Sequence, residues 1–259
     1  MIKIFIVSLK KDTVRRKKIS TILDDNNISY EFFDAVLGKE LTDKQIGEIS
    51  LHQVEKRHGR KLTKGEIGCT LSHLKVYSSI VGNKYPWACI LEDDAILDER
   101  FTNFIKFFSY DEMNVASDLY LLGGQNGLLS EKWIGKSLFT RKVIGRQVFK
   151  KTIMSYSHVF RACGYLISYD MANDLISESD SGFFLADEWD FFHSKKIINN
   201  IYLADFVDHP IDLKDSNLEK ERQAFRTGRG SKYPRVRWVY LKFKFYFFYF
   251  LSLIKKFGI

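Results

Sequence analysis

Proline is scarce in this chain, with three residues in 259, so no proline-rich linker divides it. Cysteine is as scarce: Cys69, Cys89 and Cys163 are odd in number and lie in apolar surroundings. That argues against a disulfide framework and for reduced core thiols in the cytoplasm. No run reaches the ~20 apolar residues of a membrane-spanning helix. The apolar part of the opening MIKIFIVSLKKD is too short for a signal peptide and runs directly into a charged, helix-like stretch. Internal repeats are absent, as is low-complexity sequence ahead of the C-terminal tail.

What is present suits a folded globular protein, with 45% hydrophobic and 28% charged residues. The length allows one sizeable α/β domain with appendages, or two small domains. The net charge of +8 is unevenly spread. From Leu218 onward, eleven Lys and Arg stand against Glu219 and Glu221, giving +9, so residues 1–217 carry 8 − 9 = −1. A nearly neutral body with a basic tail excludes a globally basic nucleic-acid binder and gives the tail its own partner. We therefore divide the chain into a domain over 1–217 and a tail over 218–259.

IKIFIVSL (2–9) reads as a buried strand, and Asp12 can cap a helix over 13–26 whose Ile19, Ile22 and Leu23 share one face. SYEFFDAV (29–36) is a second strand, so the opening predicts parallel pairing and a Rossmann-like start. In LTKGEIGCTLSHLKVYSSIV (62–81), Thr63 and Glu66 have capping-box spacing ahead of a helical apolar stripe. WACILEDDAIL follows, with a strand over 87–91, and then a helix over 98–108 and a strand over 118–124. Residues 125–152 have weak periodicity and read as a long loop or small hairpin, a natural acceptor-binding lid. Strand character resumes over 157–168, Asp170 can cap a helix over 171–177, a loop enters a helix over 185–195, and a last strand covers 201–207.

Three consecutive carboxylates, Glu92, Asp93 and Asp94, close the 87–91 strand. They repel one another and cannot all be buried unpaired. Ligands gather at strand carboxyl ends in α/β sheets, and such oxygen donors suit Mg²⁺ or Mn²⁺ together with substrate phosphates. A solvated turn in which Asp94 or Asp98 caps the next helix explains the triplet equally well.

LTKGEIGCTLSHLKVY followed at short range by WACILEDDAIL resembles glycosyltransferase family 25, the bacterial lipooligosaccharide and lipopolysaccharide glycosyltransferases. IFIVSLKKDTVRRKKI, YEFFDAVLG and FRACGYLISYDMANDLI are also similar to that family, so the resemblance spans about residues 1–210. It implies a GT-A-type fold, here a Rossmann-like mixed sheet flanked by helices. It also implies a UDP-sugar donor, a divalent cation and transfer with inversion at the anomeric carbon.

Such transfer needs a stabilised leaving diphosphate, a base for the acceptor hydroxyl and a donor held in register. Asp94, last in a motif of the DxD kind, is the expected metal ligand, with Glu92 and Asp93 set to touch the ribose hydroxyls or a metal-bound water. His209, in VDHP after the last strand, is the expected second protein ligand. For the base, Asp187 ranks ahead of Glu188, while Asp190 lies inside the predicted helix and suits a dipole-complementing role. Ser8 and Leu9 end the first strand, and Arg15 or Arg16 just beyond could reach a phosphate or the base. Asp34 and Ala35 resemble the family's base-contacting region. Ser72 and His73 read as packing residues that support the triplet, Gly124 and Gln125 as sugar-pocket lining, and Gly164 as a site of close strand packing.

KYPRVRWVYLKFKFYFFYFLSLIKKFGI (232–259) interleaves Lys and Arg with Trp, Tyr and Phe. That composition suits an anionic membrane surface, placing the protein peripherally on the inner face of the inner membrane. A helix docked on the domain or on a second subunit, as in a homodimer, is the alternative, and no RNA-binding motif accompanies the tail. The expected activity is hexose transfer, galactose or glucose, from a UDP-sugar to a lipid-linked oligosaccharide. A non-catalytic sugar-nucleotide or glycan-binding module, or a structural membrane-surface protein, are the competing classes.

Overall fold

The computed structural model describes residues 1–210. The expected domain is therefore covered up to Pro210, and the basic aromatic tail lies outside the described residues.

The chain opens with β1 (Lys3–Ser8), α1 (Thr13–Asp25) and β2 (Glu31–Asp34). Two short helices, α2 (Asp43–Gly47) and α3 (His52–His58), precede the long α4 (Lys64–Gly82) and β3 (Trp87–Glu92). Then come β4 (Ile96–Leu97), α5 (Glu99–Phe107) and β5 (Asp118–Gly123). The hairpin β6 (Lys136–Ile144) and β7 (Gln147–Thr152) leads to β8 (Gly164–Ser168), α6 (Tyr169–Ser181), α7 (Trp189–Ser194) and β9 (Asn200–Asp208).

The strands form one mixed sheet in the order β2-β1-β3-β8-β5-β9-β7-β6, with β4 added alongside β9. β1 pairs in parallel with both β2 and β3, as the strand–helix–strand opening predicts, whereas β8 is antiparallel to β3 and β5. Side chains alternate between two cores. Ile4, Ile6, Cys89 and Leu91 pack with Ile19 and Leu23 of α1 and Phe101 and Phe104 of α5. On the other face, Phe5, Val7, Ala88 and Ile90 meet Val76, Tyr77 and Ile80 of α4, Leu175 of α6 and Trp189 of α7. Coverage of both faces is why these strands are near-continuous apolar runs rather than alternating ones.

α4 begins as its sequence demands. The Thr63 hydroxyl accepts from the Glu66 N–H, and the Glu66 carboxylate accepts from the Thr63 N–H. Gly68 lets this helix press on the loop after β2, for a Cβ there would stand 2.7 Å from the Val36 carbonyl oxygen. At Gly164 a Cβ would meet Leu91 and Val207 at 3.2 Å, so close packing is its role.

Other expectations are corrected. Asp12 occupies the cap position of α1 but its side chain makes no capping bond. The cap of α6 is Ser168, whose hydroxyl accepts from the Met171 N–H, so Asp170 lies within the helix and the helix is longer than 171–177. Only the last five residues of the 157–168 segment pair in the sheet, because Arg161 turns through a left-handed conformation with φ 64°. Residues 125–152 resolve into the hairpin alternative. Its β6 strand lies at the end of the sheet, where one face and one edge meet solvent and the apolar periodicity weakens.

Candidate active site

β1 runs through α1 to β2 on one side, and the chain then returns through α4 to β3 on the other side. The strand order reverses between β1 and β3, and ligand clefts form at the carboxyl ends of strands at such a point. The cleft there is lined by Ser8, Leu9, Lys11 and Arg15 from the β1–α1 turn, and by Ala35, Val36 and Lys39 after β2. Cys69 and Ser72 of α4 and the triplet Glu92-Asp93-Asp94 close it.

Each carboxylate of the triplet has a different environment. Asp93 accepts from the Ser8 hydroxyl at 2.7 Å and from Arg15 Nη1 at 3.3 Å. Arg15 also stands 3.7 Å from Asp94, which has His209 Nε2 3.6 Å away on its other flank. Glu92 Oε1 lies 3.5 Å from His73 Nε2. Arg15, His73 and His209 thus supply the balancing groups that three adjacent acids require, though not enough of them. Asp94 Oδ1 is buried without a hydrogen-bond partner among the described residues, and burial together with Glu92 pushes the Asp94 carboxyl up to about 6. The capping alternative falls to Asp98, which accepts from the Arg100 N–H and leaves the triplet to the cleft.

Ligand atoms of Glu92, Asp94 and His209 lie within 4.8 Å of one another. A carboxylate pair with one imidazole and an orphaned buried oxygen fits a hard divalent cation. His209, separated from Asp94 by more than a hundred residues in sequence, reaches it because β9 ends on the same side of the sheet as β3.

Ser72 donates to the Gly68 carbonyl at 2.6 Å and accepts from the Val36 N–H at 2.8 Å, so it holds the backbone beside Ala35. His73 is buried behind the cleft, 2.7 Å from the Tyr165 hydroxyl. Arg16 is turned away from the cleft and braces β1 to β2, donating to Ser8 O at 2.8 Å and to Asp34 at 2.5 Å. The arginine that enters the cleft is Arg15. Asp34 is accordingly a brace, and Ala35 is the cleft residue of that pair.

Of the remaining candidate residues, Gly124 and Gln125 follow the end of β5, and Asp187 and Glu188 stand at the turn into α7. Gly124 adopts φ +78°, and Arg161 donates to its carbonyl at 2.8 Å. Gln125 is clamped to the backbone of Phe160 through both ends of its amide. Asp187 Oδ2 accepts from the Arg161 N–H at 3.1 Å, and Oδ1 accepts no hydrogen bond among the described residues. Glu188 is spoken for. Arg57 grips it at 3.0 and 3.1 Å, His58 stands 3.0 Å away, and the Leu185 N–H donates to it at 2.7 Å. Burial raises its carboxyl, but the His58 and Arg57 hydrogen bonds outweigh that and hold it below the usual range.

Arg161 is a functional candidate that no motif along the chain singles out. Burial lowers its pKa against the opposing pull of Cys163, Asp94, Glu92 and Asp187, so its guanidinium stands within electrostatic reach of both the triplet and Asp187. The available signal was a lone charge in the apolar stretch HVFRACGYL.

The family model for glycosyltransferase family 25 (LPS biosynthesis protein) matches residues 1–190. The chain belongs to glycosyltransferase family 25. Among its relatives, the lipooligosaccharide biosynthesis protein lic2B of Haemophilus influenzae is 28% identical over 85% of this chain and 83% of its own length. Procollagen galactosyltransferase 1-A of Xenopus laevis is 30% identical over 42% of this chain. A glycosyltransferase 25 family member of Aedes aegypti is 26% identical over 68% of it. The chain spans 18% and 28% of the length of those two animal proteins. A solved glycosyltransferase involved in glycosylation of the major capsid of PBCV-1 aligns with 86% of this family 25 chain at 7% identity and a TM-score of 0.41.

Proposed function

We propose that the chain transfers a hexose from a UDP-sugar to a lipooligosaccharide or lipopolysaccharide glycan by single displacement with inversion. One observation carries this reading: the acidic triplet stands at the topological switch point with a buried Asp94 oxygen that nothing among the described residues satisfies. Two relatives support the substrates, a lipooligosaccharide biosynthesis protein for the acceptor and a procollagen galactosyltransferase for the donor, with galactose ahead of glucose.

The nucleotide would lie across the carboxyl ends of β1 and β2, against Ser8, Leu9 and Ala35, with the loop held by Ser72. Lys11, Arg15 and Lys39 line the same cleft and give the diphosphate its cationic surroundings. A divalent cation, Mn²⁺ or Mg²⁺, held by Asp94, Glu92 and His209 would supply Lewis-acid stabilisation of the leaving diphosphate. Asp187 is the proposed base, with one oxygen fixed by the Arg161 N–H and the other left to take the acceptor proton. The acceptor oxygen bonds to the anomeric carbon as the bond to the β-phosphate oxygen breaks, the electron pair leaves with UDP, and the proton passes to Asp187. Attack from the face opposite the leaving group inverts the centre.

Among the described residues no helix is long and apolar enough to cross a membrane. The tail over 218–259 is the proposed contact with the anionic inner face of the membrane.

The test is UDP release from a panel of UDP-sugars, with Mn²⁺ and with chelator, for wild type and Asp94→Ala. Metal-dependent turnover of one donor, lost in the variant, is the expected result. Absence of release together with absence of metal-dependent UDP binding would put the non-catalytic binding module in its place.

A further inference from the structure

Beside the set of Glu92, Asp94 and His209, a second group of donor atoms converges on the same carboxylate. Cys69 and His73 stand four residues apart on α4, so their side chains share one helix face. Cys69 Sγ, His73 Nε2 and a Glu92 oxygen lie within 4.8 Å of one another. Cys69 lines the cleft, which gives an ion a way in.

His73 points to an occupant of this site. The side chain is 1% exposed, and its Nε2 is buried with no hydrogen-bond partner among the described residues, 3.5 Å from Glu92 Oε1. The other ring nitrogen is anchored: Nδ1 lies 2.7 Å from the Tyr165 hydroxyl, which lies 2.8 Å from that of Tyr77. In the tautomer whose Nδ1–H donates to Tyr165, with Tyr165 donating to Tyr77, Nε2 turns a bare lone pair toward a carboxylate. A cation between them converts that repulsion into coordination, and an imidazole fixed through its far nitrogen is the usual arrangement of a ligating histidine.

We propose that Cys69, His73 and Glu92 form a second cation site, selective for a soft divalent ion of the Zn²⁺ class. The thiolate distinguishes it from the all-oxygen-and-imidazole set around Asp94. Zn²⁺ bonds of about 2.0–2.3 Å in tetrahedral geometry separate ligand atoms by roughly 3.3–3.8 Å, so the three donors need close by only about 1 Å. The fourth position faces the cleft, and the Cys69 proton leaves to solvent as the ion binds. Glu92 serves both sets, so a soft ion held here withdraws a carboxylate from the Asp94 set and antagonises the harder cation.

The test uses the full chain with Co²⁺ as an optical probe and Zn²⁺ in calorimetry. One Co²⁺ with a thiolate charge-transfer band is expected for wild type and for Asp94→Asn. Cys69→Ser should lose the band and weaken Zn²⁺ binding at least about 10-fold, and His73→Gln should weaken it similarly. A measurement without substitution guards against misfolded variants: Zn²⁺, and not Mn²⁺, should slow alkylation of Cys69 as read by mass spectrometry. No thiolate band in wild type, or unchanged Zn²⁺ affinity in Cys69→Ser, would overturn the proposal, as would alkylation indifferent to Zn²⁺. Loss of the band in Asp94→Asn would assign the ion to the other set and overturn it too. Neither readout uses a UDP-sugar, so this site and the donor-transfer reading can fail separately.

Discussion

Two partly buried carboxylates, Glu188 and Asp94, have opposite surroundings. Glu188 is closed: Arg57, His58 and the Leu185 N–H occupy its oxygens, and Arg57 also stacks 3.9 Å over the Phe191 ring. Asp94 is open: two acids flank it, Arg15 and His209 approach no nearer than 3.6 Å, and one oxygen is buried without a partner. A satisfied acid stabilises a fold, whereas an unsatisfied one is tolerated where something outside the chain completes it. The contrast separates a brace from a candidate site, although sequence alone offers Glu188 as a base and Asp94 as a metal ligand.

The largest effect expected from breaking this contrast is at Asp94. Asp94→Ala should lower metal-dependent UDP release by about 1,000-fold, measured at saturating donor, with the fold intact by circular dichroism. Next comes the choice between neighbours. Asp187→Asn should reduce transfer by about 100-fold at nearly unchanged Tm. Glu188→Gln should instead cost about 2 kcal/mol of stability in a denaturant titration, since it strands Arg57 and His58. A selective loss of turnover in Glu188→Gln at unchanged stability would exchange the two assignments.

A smaller effect concerns the openness of Asp94. Burial and Glu92 raise its carboxyl from 3.8 to about 6. Between those values the folded chain keeps a proton that the unfolded chain has lost, so stability falls as pH rises through that window. Asp94→Asn removes this penalty, and the metal-free variant should melt a few degrees above metal-free wild type at neutral pH. The smallest effect is at Ser72→Ala, which frees the Val36 N–H and should cost about 1 kcal/mol while raising the KM for donor.

Local chemistry was readable in the sequence. The Thr63–Glu66 capping box, the buried run of β1 and the triplet closing β3 all depend on neighbours a few residues apart, and the structure has them as expected. The choice of Arg15 over Arg16 for the cleft was not readable, because which of two adjacent helix residues faces inward depends on how α1 lies on the sheet. Arg161 was hidden for a similar reason: its left-handed turn, not its neighbours, aims it at the carbonyls of Gly124 and Asn126.

By itself the sequence determined the family, the parallel opening and the position of three acids at a strand end, since periodicity, capping and motif spacing act over short stretches of chain. Only the tertiary structure decided which acids are satisfied. Glu188 meets Arg57 across 131 residues, and His209 meets Asp94 because β9 and β3 end on one side of the sheet. The energy of a charge is set by what surrounds it in space, and no pattern along the chain specifies that.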